Sequence, residues 1–543
     1  MSRRVFAFAI GTFISMAGTA TAATFSCPGG DSPCLITSIG LANAIPGPHT
    51  INLAPGIYTL AFVNNTSVDG PNGLPVVTGR IAIVGNAAST TVIRRSPFAP
   101  PFRLFEVARA GTLTIDGVTL QDGALLAASF GGAAILNQGV TGLSKVIVRN
   151  HFHANLNAGG ALRNLGKLVL FDVLVESNVG RAIVTGGFSS NNVFANGSLL
   201  AISLSTLRNN RGETGAAILT LGGGPSFVVS STVTDNQADV GSVGAAVFAE
   251  SGEIRFVNTT IARNQATGVV TTGGSLRFVG CTIADNAAPV GTDGGGILNL
   301  GGLTDVLIQN TILARNTVVS GGNAVPRDCA GNVGSNGNNL VGTFAGCSII
   351  LRPIDKLGDP GLGVLTDQRP SASGAAFGLG HLPLLAGSQA IDAGEPAACS
   401  PNDQLGFPRA DGDLNGSPTC DIGAIEFEPI VNTLVTLPKG ETVLARRKGD
   451  AYKGGTATLM AQYRNTSAQS ILRPVFVVRA ISEGALLVNG DPPSPGGVGA
   501  RLTPNVGGNR IWLPGQTITV RFVMGLQEAR IPTFRVDLFG YPQ

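Results

Sequence analysis

The chain has 543 residues, far more than one ordinary hydrophobic core encloses, so it is read as a repeat or as several units. Only 13% of the residues are charged and the formal net charge is +3; Lys145 and Lys167 are the only lysines between Arg80 and Arg352, which argues against a groove that tracks a phosphate backbone. Seventy-six Gly, and 25 Phe against one Trp and four Tyr, fit glycine-punctuated β structure.

Residues 1–22 have the pattern of a secretory signal. Arg3 and Arg4 form a charged start, Val5 to Ile14 an apolar stretch too short to span a bilayer, and Ala20-Thr21-Ala22 a small-residue cleavage site. The expectation is export, with cleavage near Ala22 and a mature chain without a transmembrane segment. In an oxidising compartment the seven cysteines suggest three local pairs, Cys27–Cys34, Cys329–Cys347 and Cys399–Cys420, leaving Cys281 as a buried thiol. The spacing is not that of a zinc site.

Residues 23–60 read as an N-terminal cap and first strands. Cys34 to Ala44 fits a short amphipathic helix with Leu35, Ile36, Ile39 and Ala42 on one face, a lid for the open first coil of a solenoid. INLAPGIYTL (51–60) reads as two short strands about a Pro-Gly turn. Cys34-Leu35, Ala42-Asn43, Thr50-Ile51, Leu53, Pro55-Gly56 and Tyr58 together resemble the CSLREA-type motif of exported bacterial β-helix proteins. Thr37 and Ser38 stand where that motif has an Arg-Glu pair.

Residues 61–348 carry the repeat. A seven-residue phrase recurs as DVLVESN (172–178), LSTLRNN (204–210), SSTVTDN (230–236), NTTIARN (258–264), GCTIADN (280–286) and NTILARN (310–316), with weaker copies at 117–123 and 149–155. Small apolar runs opened and closed by Gly lie between the copies, as in GGAAILNQG (131–139) and DGGGILNLGG (293–302). No stretch holds a helical apolar period, so the pattern predicts an all-β, right-handed parallel β-helix with two or three short strands per coil. The closing asparagines, Asn155, Asn178, Asn210, Asn236, Asn264, Asn286 and Asn316, are expected to stack as an amide ladder at a strand end where left-handed backbone is tolerated. His151 and His153, flanking an inward Phe152, read as exposed.

Residues 349–428 hold Gly387-Ser388, Ala390 to Gly394, Asp403-Gln404, Gly406, Pro408-Arg409, Cys420 to Ala424 and Glu426, a set that resembles the closing segment of choice-of-anchor Q domain proteins. That resemblance implies architecture and export rather than an activity. Asp411, Asp413 and Asn415, with Asp421, resemble half of a Ca²⁺ loop; the other reading is an Asp/Gly turn held by Cys399–Cys420. Asp392 and Glu426 sit in apolar motifs and need partners if buried, with Arg409 as the candidate. Residues 429–543 alternate as half-buried strands separated by Pro-Gly and Asn-Gly clusters and predict an immunoglobulin-like β-sandwich. From residue 430 on, roughly 13 Lys/Arg stand against 6 Asp/Glu, whereas the mature remainder carries roughly 21 against 27.

The flat sides of a β-helix suit long polysaccharides. Hydrolysis there needs paired carboxylates, and lyase chemistry a base with charge stabilisation. Asp235, Asp285 and Arg263 fall at equivalent places near the phrase ends and read as a solvated turn face. No residue is assigned a catalytic role. The reading is a secreted or surface-associated protein that binds extracellular glycan or a cell surface, has no nucleic-acid partner, and needs no cofactor unless Ca²⁺ fills the half-loop. The alternatives are a polysaccharide lyase or glycoside hydrolase acting on an acidic polysaccharide, and a structural adhesin stalk.

Overall fold

The computed structural model describes residues 22–542 except 127–129, 156–158, 189–194, 196, 240–242, 303–304, 367–376, 386, 408, 410–418, 428–433, 446–451, 453, 483, 492–493, 508–509 and 528–533. From Thr24 to Leu357 the chain winds as a parallel β-helix. Each coil visits three faces in turn, as in Ala245–Ser251 (third face), Glu253–Val257 (first face) and Thr260–Ala262 (second face). The second face is a sheet of twelve strands; the first and third join through Cys329–Ser335 into one of twenty-one. Register follows the repeat: Ile254 lies beside Leu276, Phe256 beside Phe278, and Thr260 beside Thr282. Side chains alternate across each strand, so the apolar member of each pair stacks inside. Phe256 and Phe278 are fully covered, with rings parallel and centroids 4.8 Å apart.

A tight corner must still satisfy its backbone groups. At the corner after the second face, Asn178, Asn210, Asn236, Asn264, Asn286 and Asn316 lie in one wholly buried column. Each Oδ1 accepts both the backbone N–H and the Nδ2 of the preceding rung's asparagine, as where Asn264 takes both from Asn236 at 3.0 Å. The column is longer than the asparagine repeat. His151 heads it, its N–H donating to Asn178 Oδ1 at 3.0 Å, and Asp328 ends it, its Oδ1 accepting from the N and Nδ2 of Asn316 at 2.9 Å. Left-handed backbone falls one residue before the asparagine, at Asp235, Arg263, Asp285 and Arg315 (φ 54° to 61°), and not on the asparagine itself. The turn is made by an outward residue, which leaves the next side chain free to point inward.

A second column occupies the corner between the first and second faces. Val173 N–H donates to Ser205 Oγ, Ser205 N–H to Ser231 Oγ, Cys281 N–H to Thr311 Oγ1 and Thr311 N–H to Asn339 Oδ1, and Asp355 closes the series on Asn339. Cys281 therefore sits where its neighbours carry hydroxyls. It is fully buried, and burial pushes its thiol up to about 12. Iodoacetamide is expected to leave Cys281 unmodified in the folded protein and to label it only with denaturant; native labelling at the rate of a free thiol would contradict this placement.

Three expectations are corrected at the rung of His151. His151 and His153 are at most 1% exposed, whereas Phe152 is 47% exposed. The rung here closes on RNH where the others close on a final Asn, so the histidine takes the asparagine's station; its Nδ1 accepts from Gly123 N–H and its Nε2 donates to Leu120 O, and burial holds the imidazole neutral down to about 4. Asn155, four residues on, is only half-buried and stands outside the column, its N–H donating to His153 Nδ1.

Helix α1 (Ser32–Ala44) lies over the first coil. Asp31 caps it by accepting from Cys34 N–H at 2.9 Å, Pro33 begins it, and Leu35, Ser38, Ile39 and Ala42 are buried beneath it. Asn43 fixes its far end by accepting from the N–H groups of Thr78 and Gly79. The disulfides are Cys27–Cys34, Cys329–Cys347 and Cys399–Cys420. No helix among the described residues is long and apolar enough to cross a membrane.

After a last second-face strand at Lys356–Leu357, the chain runs back from about residue 360 along the outside of the second face as a strap. Thr206 and Thr232 donate through Oγ1 to the carbonyls of Gly378 and Gly380, and Thr260 to Gln404 Oε1. Thr282 Oγ1 accepts from Ala424 N–H. Outward Ala262, Ala284 and Ala314 leave room for Leu362, Leu382, Leu384 and Ile422 to pack on them. Residues from 434 on form two antiparallel sheets. Leu434–Ala445, Gly455–Asn465, Thr517–Leu526 and Ala485–Leu487 make one, and Arg501–Leu502, Ile471–Ile481, Ile511–Trp512 and Phe534–Pro542 the other. Tyr463, Phe476, Trp512 and Phe522 fill the core between them.

Candidate functional site

Because the phrase repeats in register, its fifth and sixth positions form a row of side chains along one edge of the second face. Charge alternates along part of that row. Arg208 meets Glu176 at 2.9 Å and Arg263 meets Asp235 at 3.0 Å, and Arg315 pairs with Asp285. Their side chains are 17% to 53% exposed, so each pair contributes about 1 kcal/mol or less to stability. Their consequence is positional: a guanidinium or carboxylate is held at nearly every rung, about 4.8 Å apart.

Where the strap crosses this edge, a groove of about 190 Å³ opens. Its floor is Thr206, Arg208, Thr234, Asp235 and Arg263 from three consecutive rungs, and its opposite wall is Leu365, Thr366, Gly378 and Gly380 of the strap. Thr206 Oγ1 is committed to Gly378 O, which ties floor to wall, and Thr234 Oγ1 donates to Asp235 Oδ2. Among the described residues the groove thus offers two guanidinium groups, one carboxylate and hydroxyls in a row. Such a set can bracket pairs of sugar hydroxyls or an anionic substituent. One carboxylate, already in an ion pair, is not the pair of acids that flank a bond in glycoside hydrolysis.

A second polar cluster lies under the strap. Arg409 pairs with buried Glu426, and its Nη2 donates to Asn258 Oδ1 at 3.0 Å. Asp421 accepts from Asp392 N–H and Phe427 N–H, and Asp403 Oδ1 accepts from the N–H groups of Leu405 and Phe407. Burial, then the neighbouring Glu426, pushes the Asp421 carboxyl well above its usual range. These groups pin the strap's own turns and are closed to a ligand. Asp392 itself is half-buried, at φ 50°, and its backbone N–H donates to Asp421 Oδ1 at 2.7 Å. Of the tentative Ca²⁺ ligands, Asp421 is occupied as described, and Asp411, Asp413 and Asn415 lie outside the described residues. No group of three or more His, Cys, Asp or Glu suited to a metal occurs among the described residues.

The sequence reading singled out Asp235, Asp285 and Arg263 but passed over Arg208 and the threonines. Their signal was the third letter of the phrase: Thr206, Thr232, Thr260 and Thr282 recur at the position that meets the strap.

The family described as right handed beta helix region matches residues 196–318. No curated protein matches the chain. Among solved structures, the PL6 family alginate lyase AlyGC is 11% identical with a TM-score of 0.28, over 75% of this chain and 60% of that one. The enzymatically active domain of tailspike protein 4 of Bacteriophage CBA120 is 9% identical with a TM-score of 0.25, over 93% of this chain and 66% of that one. The chain therefore spans under two thirds of the length of either, and identities this low tie neither protein's activity to it.

Proposed function

We propose that the protein is an exported, non-catalytic β-helix that binds an extracellular glycan along the charged edge of its second face. The observation that carries the reading is the groove between rung and strap, in which Arg208, Asp235 and Arg263 are spaced by the β ladder beside Thr366. Regular spacing of alternating charges suits a repeating polymer better than a small substrate. Among the described residues the groove holds one carboxylate, Asp235, already paired with Arg263, which favours retention over cleavage. Residues 1–22 fit a signal removed near Ala22, three disulfides suit an oxidising compartment, and the Cys34 and Ala390–Glu426 motifs fit an exported protein of the CSLREA and choice-of-anchor Q kind. In the same reading residues 429–543 are an immunoglobulin-like sandwich whose basic balance docks an acidic surface.

A glycan array scored for both retention and chain shortening tests this. Retention without shortening is expected; shortening would replace the reading with a lyase or hydrolase, and neither would leave a structural stalk. Arg263→Ala and Arg208→Ala are each expected to weaken retention by roughly 5- to 10-fold while moving stability by less than about 1 kcal/mol. Unchanged retention in both variants would remove the groove as the site.

A further inference from the structure

Two of the three faces are clothed. The strap covers the second face, and on the third the outward Leu136, Val184, Leu219, Val270 and Leu298 are at most 4% exposed. The first face is bare across its middle. Val140, Val169 and Phe171 are 40%, 41% and 44% exposed, and Leu199, Phe227 and Val229 beside them are partly open. Large apolar side chains on neighbouring rungs form a continuous patch, which marks a contact surface.

We propose that this face joins two copies of the chain, laid side by side with their rods antiparallel. The ladder fixes six successive rungs, those of Val140, Lys167, Leu199, Ser226, Glu253 and Ser275. A twofold axis parallel to the strands, midway between the third and fourth rungs, sets the first against the sixth and the second against the fifth. Lys167 then faces Glu253 of the second copy, which also holds Arg255 of its own chain at 2.7 Å, so the carboxylate is shared between two cations. In the middle column Phe227 faces Ala201 and Arg277 faces Gly142, a large side chain against a small one in two of the three pairs, and the third sets Val169 against the stem of Arg255; beside it Phe171 faces Val257. A twofold axis along the rod would instead set Lys167 against Phe171 and bury the charge unpaired. Six rungs about 4.8 Å apart and strands about 16 Å long give roughly 450 Å² per copy, or about 900 Å² in all. That area is about three quarters of the standard range's lower bound of roughly 1,200 Å², the size of a weak, transient contact, so a dissociation constant on the order of 10 micromolar is expected.

Sedimentation of the full chain from about 1 to 100 μM is expected to show monomer passing to dimer with rising concentration. Val169→Lys, which faces Arg255 in the proposed contact, should weaken the dimer at least 10-fold. Lys167→Glu should also weaken it, and the double variant Lys167→Glu with Glu253→Lys should recover to within about 3-fold of wild type. All three positions point outward and the Glu253–Arg255 pair is well exposed, so thermal unfolding should move little and would expose a variant that merely misfolds. A monomer throughout, a dimer indifferent to Val169→Lys, or a double variant that does not recover would each overturn the proposal. So would a monomer that loses glycan retention on Val169→Lys, since the face would then be a glycan platform. The contact uses a different face from the charged groove, so glycan retention and dimerisation fail separately.

Discussion

Asn264→Ala is expected to destabilise the rod by about 3–5 kcal/mol, far more than any substitution on the charged edge beside it. The side chain holds both directions of the column. Its Oδ1 accepts from the backbone N–H and Nδ2 of Asn236, and its Nδ2 donates to Val233 O at 3.1 Å and Asn286 Oδ1 at 2.8 Å. All these asparagines are fully buried. Alanine strands the Asn236 N–H and the Val233 carbonyl without water, and each orphan costs about 1–3 kcal/mol. Asn264→Asp does not rescue. Its second oxygen would sit against Val233 O and Asn286 Oδ1, acceptor to acceptor. Because each coil touches only its neighbours, the loss should stay local, with hydrogen exchange quickening in the rungs of Val233, Ile261 and Ile283 before the rest. Denaturant titration of Asn264→Ala beside Arg263→Ala measures the contrast. A cost under about 1 kcal/mol for the asparagine would mean that the column is not what holds this corner.

The second large effect is a pH dependence seated at the column's end. Asp328 is 1% exposed, takes two donors from Asn316 on one oxygen and Thr343 N–H on the other, and has its carboxyl raised from 3.8 to about 6, with burial outweighing the hydrogen bonds. A carboxyl raised on folding binds its proton more tightly in the native state. The stability it contributes is therefore fully present below about 3.8 and lost as pH rises through about 6. Two pH units correspond to roughly 3 kcal/mol. Asp421 and Glu426 are also raised and act with the same sign, so the wild-type curve alone does not isolate Asp328. Subtracting the curve of Asp328→Asn does. The wild type should lose roughly 2–3 kcal/mol relative to the variant between pH 4 and 7. A flat difference would mean that Asp328 ionises as freely in the folded chain as in the unfolded one.

Several features were legible because a repeat states its own register. Copies of the phrase six times over place Thr260 beside Thr282 and Phe256 beside Phe278 without any long-range guess, since in-register coils put like residues together. Cys281 read as a buried thiol from its place in that alignment alone. His151 was missed because it stands where the phrase has asparagine but differs in residue type; only its station in the column shows that an imidazole nitrogen can accept what an amide oxygen accepts elsewhere. Asn155 was wrongly drawn in by residue type without the station. The left-handed residue was placed one position late because both the turn and the column favour asparagine, and sequence does not separate the two roles.

The sequence by itself determined the coil. Period, apolar alternation and corner residues act between a rung and its neighbour, and the cysteine pairs close over at most 21 residues, so separation along the chain stands for separation in space. Only the tertiary structure decided what lies outside the coil. Nothing local says that residues 360–427 fold back over the second face, although the change from Arg208 and Thr234 to Ala262, Ala284 and Ala314 was the space left for them. That return sets Gly378 against Thr206 across 172 residues of chain. It creates the groove and leaves the first face open, because a strap commits to one side of a three-sided rod only when the whole rod exists to receive it.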